Sequence, residues 1–450
     1  MQYNEKFIDK MNNLLGKDAQ DFFDALQKPL SKSITVNFAR MNKSTFEKNA
    51  DFSIRPIPHI DNGYMVEDIK IGKHILNHLG VIYSQEPSAM YPVQMLDIEE
   101  GDIVLDLCSA PGGKSIQILE KLNGTGLLVS NEIVYNRAKI LYENLNRMGF
   151  TNFAITCNSP QDWDNTSLKF DKILVDAPCG GEGMFRRPDF NFDAYNNSSI
   201  ETNAKRQLSI LNSVKHLLKD GGKLVYSTCT YDILENENVV AEFLKSNHDF
   251  KLIECPNLAS VTAKGVHIDG THTEYCCRRY PHLFEGEGQF MAVMMKVSDS
   301  NENIYEENFH ARGYSEIYRK EIEPIKKAFK DIADISNLHI VHRGDNYYAL
   351  PDTTIDFEDL NVVSVGTLMG TLGKSGFKIA HSMYHNLGNL FYNKIELSKE
   401  QVEKYLMGYE IDIDNALNGF CVVTYLGIPL GGGKISNSKL KNYYPQNLRN

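Results

Sequence analysis

The sequence predicts an α/β protein built on a doubly wound parallel sheet, with a helical cap before it and a small α+β module after it. Three observations carry this. From about residue 76 to 297, short runs of branched apolar residues alternate with helical stretches, as strands buried on both faces of a parallel sheet do. Several of these runs end in loops rich in Gly, Pro, Ser or Thr, at the edge where open α/β sheets bind ligands. The segments on either side read differently: short helical patterns before, short strands and glycines after.

Taken in order, Phe7, Met11, Leu14 and Leu15 make one helical stripe, and Phe22, Phe23 and Leu26 make another, closed by Pro29. A strand-like run, Ser33–Phe38, follows. The whole is read as a cap, residues 1–80, packed on the next domain. Strands are expected at Ile103–Leu107, Gly126–Val129, Lys172–Val175 and Lys223–Tyr226, with helices at Ser115–Leu122, Tyr135–Met148 and Ala204–Leu218. This αβ domain is placed at 81–297. A polar, acidic linker beginning Ser298-Asp299-Ser300-Asn301-Glu302-Asn303 leads into a first small C-terminal domain, 298–365, and then a last module, 366–450. The tail carries Lys434, Lys439, Lys441 and Arg449 without an acid, with Tyr443 and Tyr444 among them. Interleaved cations and aromatics suit phosphate contacts and base stacking, and a solvated tail has the same composition.

The 450 residues are 42% hydrophobic and 23% charged, which excludes collagen-like and wholly disordered chains. No stretch approaches the roughly 18 uninterrupted apolar residues of a spanning helix, so no membrane partner is expected. Met1–Lys6 leads into no apolar segment, which points to the cytoplasm. The net charge of -11 argues against indiscriminate nucleic-acid binding but leaves room for a local basic groove. Eight cysteines with no C-x-x-C spacing suit free thiols in a reducing compartment. Cys157, Cys255 and Cys421 read as packing. Cys276-Cys277 lies near His267, His272 and His282, but adjacent cysteines make awkward ligands, and no metal is expected.

Four motifs carry chemistry. In Asp106-Leu107-Cys108-Ser109-Ala110-Pro111-Gly112-Gly113-Lys114-Ser115, a strand enters a Pro-Gly-Gly loop that opens a helix. Glycine permits close backbone approach, and the helix start offers free N–H groups. The spacing is neither that of a triphosphate loop nor that of a dinucleotide loop. Glu132, 19 residues past Gly113 at the end of the second strand, is placed to accept from ribose hydroxyls. Asp176-Ala177-Pro178-Cys179-Gly180-Gly181 puts an acid and a thiol at a third strand end. Ser227-Thr228-Cys229-Thr230 puts a thiol at a fourth, with Asp232, Glu235 and Glu237 following. Two thiols at two strand ends of one sheet point to one cleft.

Together these motifs resemble those of the Nol/Nop/Sun family of RNA cytosine-5 methyltransferases. Further matching features are Tyr83-Ser84-Gln85-Glu86-Pro87-Ser88-Ala89-Met90, Arg278-Arg279-Tyr280-Pro281-His282 and Gly286-Glu287-Gly288-Gln289-Phe290. Gly433-Lys434-Ile435-Ser436-Asn437 with Lys439 to Pro445 resembles the PUA-like RNA-binding module of a bacterial branch that acts on small-subunit ribosomal RNA. The resemblance implies a Rossmann-like fold and S-adenosyl-L-methionine as methyl donor. It implies a monomer acting on ribosomal RNA or the small ribosomal subunit, forming 5-methylcytosine in the decoding region of 16S ribosomal RNA. It implies that Cys108, Ser109, Ala110, Pro111, Gly112, Gly113 and Lys114 cradle the cofactor, that Glu132 holds its ribose, and that Asn158 stands near its adenine where relatives often have an acid. Asp176 falls between cofactor and base, Cys229 is the nucleophile, and Cys179 assists release of product. Lys434, Lys439 and Lys441 are assigned to RNA, as is the cap at 1–80; Arg278 and His282 are read as cleft-wall or RNA-facing, Lys205 and Arg206 as a solvated helix face or an RNA contact, and Arg343, His381 and His385 as further RNA-facing candidates. Thr35 and Gly432 depart from the pattern, outside the catalytic loops. The alternatives are a methyltransferase acting on nitrogen or a small molecule, a 5-methylcytosine enzyme acting on another RNA such as tRNA, and a non-catalytic ribosome-assembly factor.

Overall fold

The structure, a computed structural model, describes residues 3–196, 199–297, 309–317, 319–414 and 417–449. The linker expected over Ser298–Asn303 lies outside these residues. Helix Glu5–Leu15 begins where the Asn4 side chain accepts the Phe7 N–H at 2.8 Å, and it buries Phe7 and Met11. Helix Ala19–Leu26 buries Phe22 and Leu26. Both faces pack on Phe185, Tyr231 and Tyr280 of the next domain, as a cap does. The N-terminal segment is not helical throughout, however. Lys32–Val36, Ser53–Pro56, Gly63–Glu67 and Ile82–Ser84 form a four-stranded antiparallel sheet. Its last strand carries the unit beyond the boundary expected at residue 80.

The central domain alternates as expected: β1 (Ile103–Asp106), α1 (Gly113–Leu122), β2 (Leu127–Asn131), α2 (Tyr135–Arg147), β3 (Phe153–Thr156), β4 (Phe170–Asp176), α3 (Ile200–Val214), β5 (Leu218–Thr228), α4 (Glu237–Ser246) and β6 (Gln289–Lys296). Strands β3, β2, β1, β4 and β5 lie side by side and parallel, and β6 runs antiparallel on β5. Leu105, Val129, Ile173 and Leu224 are wholly buried, and separate apolar clusters cover the two faces. The strand order reverses between β1 and β4, which places a ligand crevice at their carboxyl ends. Strands β3 and β6 are absent from the sequence reading. The four residues of β3 are too few to show a period, and β6 is a Met-rich apolar run without alternation.

The C-terminal half corrects the expected division at 365/366. Strand β7 (Val362–Val365) leaves its own segment and pairs antiparallel with β3, so it completes the central sheet. The next strand, Thr367–Gly373, pairs with Asn346–Ala349 and with Gly376–Ile379, so one five-stranded sheet spans both sides of that division. A second five-stranded sheet holds Lys394–Glu396, Ile411–Asp412, Gly419–Tyr425, Ile428–Ser436 and Lys439–Asn442. The last module shares one apolar cluster with the N-terminal sheet: Ile34, Val36 and Ile82 pack in it with Val423, Leu430 and Ile435. Arg40 pins this seam, donating to Leu79 O, to His385 O at 2.9 Å and to Pro429 O at 3.2 Å. No described helix is long and apolar enough to cross a membrane.

Candidate active site at the carboxyl edge of the sheet

Three strand ends converge on one cavity of about 380 Å³. Asp106 ends β1, Asp176 ends β4 and Cys229 follows β5. Register brings the last two together, since Asp176 pairs with Ser227. The loop after β1 must turn sharply into α1. Gly112 makes that turn with φ of 115°, and a Cβ there would stand 3.0 Å from Leu141 Cδ1. Cys108 to Pro111, Gly113 and Lys114 line the cavity, facing Tyr83 and Gln85 of the N-terminal sheet's edge.

Asp106 is wholly buried in this cradle. It accepts the Ser115 hydroxyl at 2.7 Å through Oδ2, while Oδ1 has no partner. Burial pushes its carboxyl up to about 7. A buried acceptor left open at the floor of a cavity, beside the N–H groups that start α1, is the donor–acceptor set a zwitterionic amino-acid moiety needs. The residues therefore fit the expected methyl donor. Glu132 is buried just past β2. Its carboxylate accepts the Val134 N–H at 2.9 Å and faces Arg137 at 3.2 Å, and Arg137 lines the cavity. Asn158 is placed differently. Its side chain is spent on Asn361, accepting from Asn361 N at 2.9 Å and donating to Asn361 O at 3.3 Å, and so it braces the chain leading to β7.

Asp176 accepts from three donors: Lys114 Nζ at 2.7 Å, Ser227 Oγ at 2.6 Å and Gln289 Nε2 at 3.1 Å. Lys114 thus serves the strand-end acid directly. Gln289 and Ser227 were not singled out from sequence, although both lie inside the motifs that were. The two thiols meet, with Cys179 Sγ 3.4 Å from Cys229 Sγ. They face different spaces. Cys229 lines the cradle cavity, whereas Cys179 opens onto a neighbouring cavity of about 400 Å³ walled by Phe190, Tyr195, Asn203 and Arg206. The hydrogen bond with Cys229, then burial, push the Cys179 thiol well above its ordinary range. Lys114 and Arg187 are cations within electrostatic reach of Cys229. Arg187 is anchored by Glu287, with Nε 2.8 Å from Oε1.

Other candidates fall elsewhere. Arg278 is buried and inaccessible to RNA. It forks onto Glu237, Nε to Oε1 at 2.6 Å and Nη2 to Oε2 at 2.5 Å, and ties the strand Cys277–Arg279 to α4. His385 is buried against Arg40 and the Leu430 carbonyl. Arg343 donates to the carbonyls of Val362 and Val363 and so braces β7. His282 packs edge-on against Phe22 of the cap. Lys205 and Arg206 are exposed on α3, and Lys434, Lys439 and Lys441 are exposed on the last module, Lys434 lying over the Phe420 ring at 5.4 Å. Cys276, Cys277 and Cys421 are buried, and no metal-binding cluster occurs among the described residues.

The sheet order, the switch-point cavity and the Gly-turned cradle define a Rossmann-like methyltransferase. Family models match three stretches: "16S rRNA methyltransferase RsmB/F" over residues 93–295, the N-terminal domain of 16S rRNA methyltransferase RsmF over 3–87, and the RsmF PUA domain over 392–450. The ribosomal RNA small subunit methyltransferase F of Shewanella piezotolerans is 31% identical, covering 99% of this chain and 97% of its own. That of Shewanella oneidensis is 30% identical, covering 100% and 97%. A crystal structure of a methyltransferase homologue from Pyrococcus horikoshii superposes with a TM-score of 0.58 at 28% identity, covering 66% of this chain and 96% of that one. The chain belongs to the 16S ribosomal RNA methyltransferase RsmB/F family.

Proposed function

We propose that the protein methylates carbon-5 of cytidine in 16S ribosomal RNA, using S-adenosyl-L-methionine and a covalent cysteine–cytosine intermediate. The observation that carries this reading is the 3.4 Å contact between two thiols of unequal setting, one of them on the wall of the cofactor cradle. Carbon-5 of cytosine is a poor nucleophile. A thiolate added at carbon-6 makes the ring an enamine and loads electron density onto carbon-5. Cys229 suits this role because it shares the cradle's cavity and has the Lys114 and Arg187 cations within electrostatic reach. The bound cofactor supplies an electrophilic methyl group at its sulfonium. Cys108 to Lys114 and Asp106 would hold it, and Glu132 and Arg137 close that end.

Asp176, fixed by Lys114, Ser227 and Gln289, is placed to orient the base edge. For release, the carbon-5 proton leaves to water and its electron pair forms the carbon-5–carbon-6 double bond. The bond from carbon-6 to Sγ breaks with its pair on Cys229. Cys179, kept as a thiol, donates its S–H toward that leaving sulfur. The base must stand outside any stack, which costs a few kcal/mol in a duplex. Lys434, Lys439 and Lys441 are the cations this reading assigns to the RNA backbone.

The test is a denaturing gel of wild type, Cys179→Ala and Cys229→Ala with small-subunit ribosomal RNA and S-adenosyl-L-methionine. A protein–RNA adduct that persists only for Cys179→Ala is expected. An adduct that persists for Cys229→Ala and not for Cys179→Ala reverses the two roles. No adduct in any lane and no methyl transfer by wild type sinks the proposal.

A further inference from the structure

Glu235 is a buried acid that the reaction scheme above leaves unused. It lies in the turn between β5 and α4, it is 1% exposed, and no described cation pairs with it. Its partners are neutral. One is the Gly180 N–H, 3.1 Å from Oε2 and 3.3 Å from Oε1. The other is Gln207 Nε2 on α3, 2.7 Å from Oε2. The same Gln207 nitrogen donates to Pro178 O at 3.0 Å. Gln207 is wholly buried, and its Oε1 has no partner. Glu235 and Gln207 therefore grip the residues on both sides of Cys179 and leave its side chain to meet Cys229. Space around the grip is tight: a Cβ on Gly180 would stand 2.9 Å from Glu235 Oε1.

A buried carboxylate without a cation is costly unless it is fully hydrogen-bonded. Here it stays beside a thiol whose working form is the neutral one, and its negative charge opposes ionisation of that thiol. We propose that Glu235, acting with Gln207, is a positioning residue that clamps the Pro178–Cys179–Gly180 turn and holds the Cys179 thiol against the Cys229 sulfur during product release. This rests on the covalent reading of the site. The clamp acts on release and not on attack, because it touches the Cys179 turn and makes no hydrogen bond to Cys229, Lys114 or Asp176.

The charge of Glu235 is set by several neighbours. Burial raises its carboxyl to about 7, Gln207 and Gly180 lower it, and Asp232 and Glu182 raise it. Those two acids are both paired with Lys10 of the cap. Cys179, Tyr195 and Tyr226 also feel its charge. Protonation removes an acceptor from the clamp, so release should slow as pH falls through about 7.

The experiment compares wild type, Glu235→Gln and Glu235→Ala, full chain, with small-subunit ribosomal RNA and S-adenosyl-L-methionine. Adduct formation in a single turnover and steady-state methyl transfer are followed from pH 6 to 8.5, with thermal unfolding as the check on folding. Adduct formation within about twofold of wild type is expected in both variants. In Glu235→Ala, steady-state turnover should fall at least tenfold and adduct should accumulate. Glu235→Gln, which can still accept from Gly180, should recover part of that turnover and lose the slowing toward pH 6. A folded Glu235→Ala with wild-type turnover overturns the proposal. So does equal loss of adduct formation and turnover, or an unchanged pH profile in Glu235→Gln. If the alanine variant does not fold, the glutamine pH profile decides alone. Failure of wild type to transfer methyl, or of Cys179→Ala to trap adduct, would instead count against the covalent reading.

Discussion

The carboxyl edge of the central sheet and the seam between the N-terminal sheet and the last module are both polar places in a well-packed chain, and they are built in opposite ways. At the edge, groups are left with capacity to spare. Asp106 keeps a buried oxygen unpartnered, and two thiols face two cavities. At the seam, Arg40 uses Nε, Nη1 and Nη2 on Leu79 O, His385 and Pro429 O with no carboxylate, and burial lowers its guanidinium to about 10. The difference teaches where to look for chemistry. An acceptor left open on a cavity wall has room for a ligand, whereas a cation enclosed by carbonyls holds pieces of chain together. Arg278 shows the same rule within the catalytic domain, since its fork onto Glu237 consumes the group that sequence reading assigned to RNA.

Four substitutions sharpen this comparison. Cys229→Ala should abolish methyl transfer while thermal unfolding stays close to wild type, because an edge residue serves chemistry. A large loss of stability would blur the distinction. Arg278→Ala leaves Glu237 buried without its cation and should cost about 3–5 kcal/mol in a denaturant titration. Arg40→Ala strands several carbonyls at a partly buried seam and should cost less, about 1–3 kcal/mol. Proteolysis between the last module and the rest should speed up with it. A wild-type cleavage rate would mean the seam is held by its apolar cluster alone.

Asp106→Asn gives an effect whose size depends on pH. The Asp106 carboxyl is raised from its unfolded value of 3.8 to about 7. Its contribution to stability is therefore full below the unfolded value and is lost as pH rises through about 7. The variant should gain on wild type above pH 7 and match it near pH 4. Its affinity for S-adenosyl-L-methionine should fall at pH 8. Melting temperatures of both proteins across that range, and calorimetric titration of the cofactor, measure the two halves.

Much of the site was legible because its parts are local. The Pro-Gly-Gly turn, the acid after β4 and the cysteine after β5 each sit within a few residues of a strand whose branched apolar character is plain. Strand β7 was not legible, because Val362–Val365 carries no mark of the distant strand it will join. The family resemblance implies that Asn158 stands near the adenine, and its side chain instead holds Asn361, 203 residues away. Arg278, expected at the cleft wall or facing RNA, is instead taken up by Glu237, 41 residues earlier.

The sequence by itself determined the class of sheet, the strand ends that carry acids and thiols, and the family to which those motifs point. Those properties follow from short-range patterning, which the chain carries wherever it folds. Only the tertiary structure decided that the two thiols touch, that Lys114 and Gln289 converge on Asp176, that Glu235 and Gln207 grip the Cys179 turn, and that the last module closes onto the N-terminal sheet. Each depends on which distant segments share a buried volume, and that is settled by packing among residues far apart in the chain.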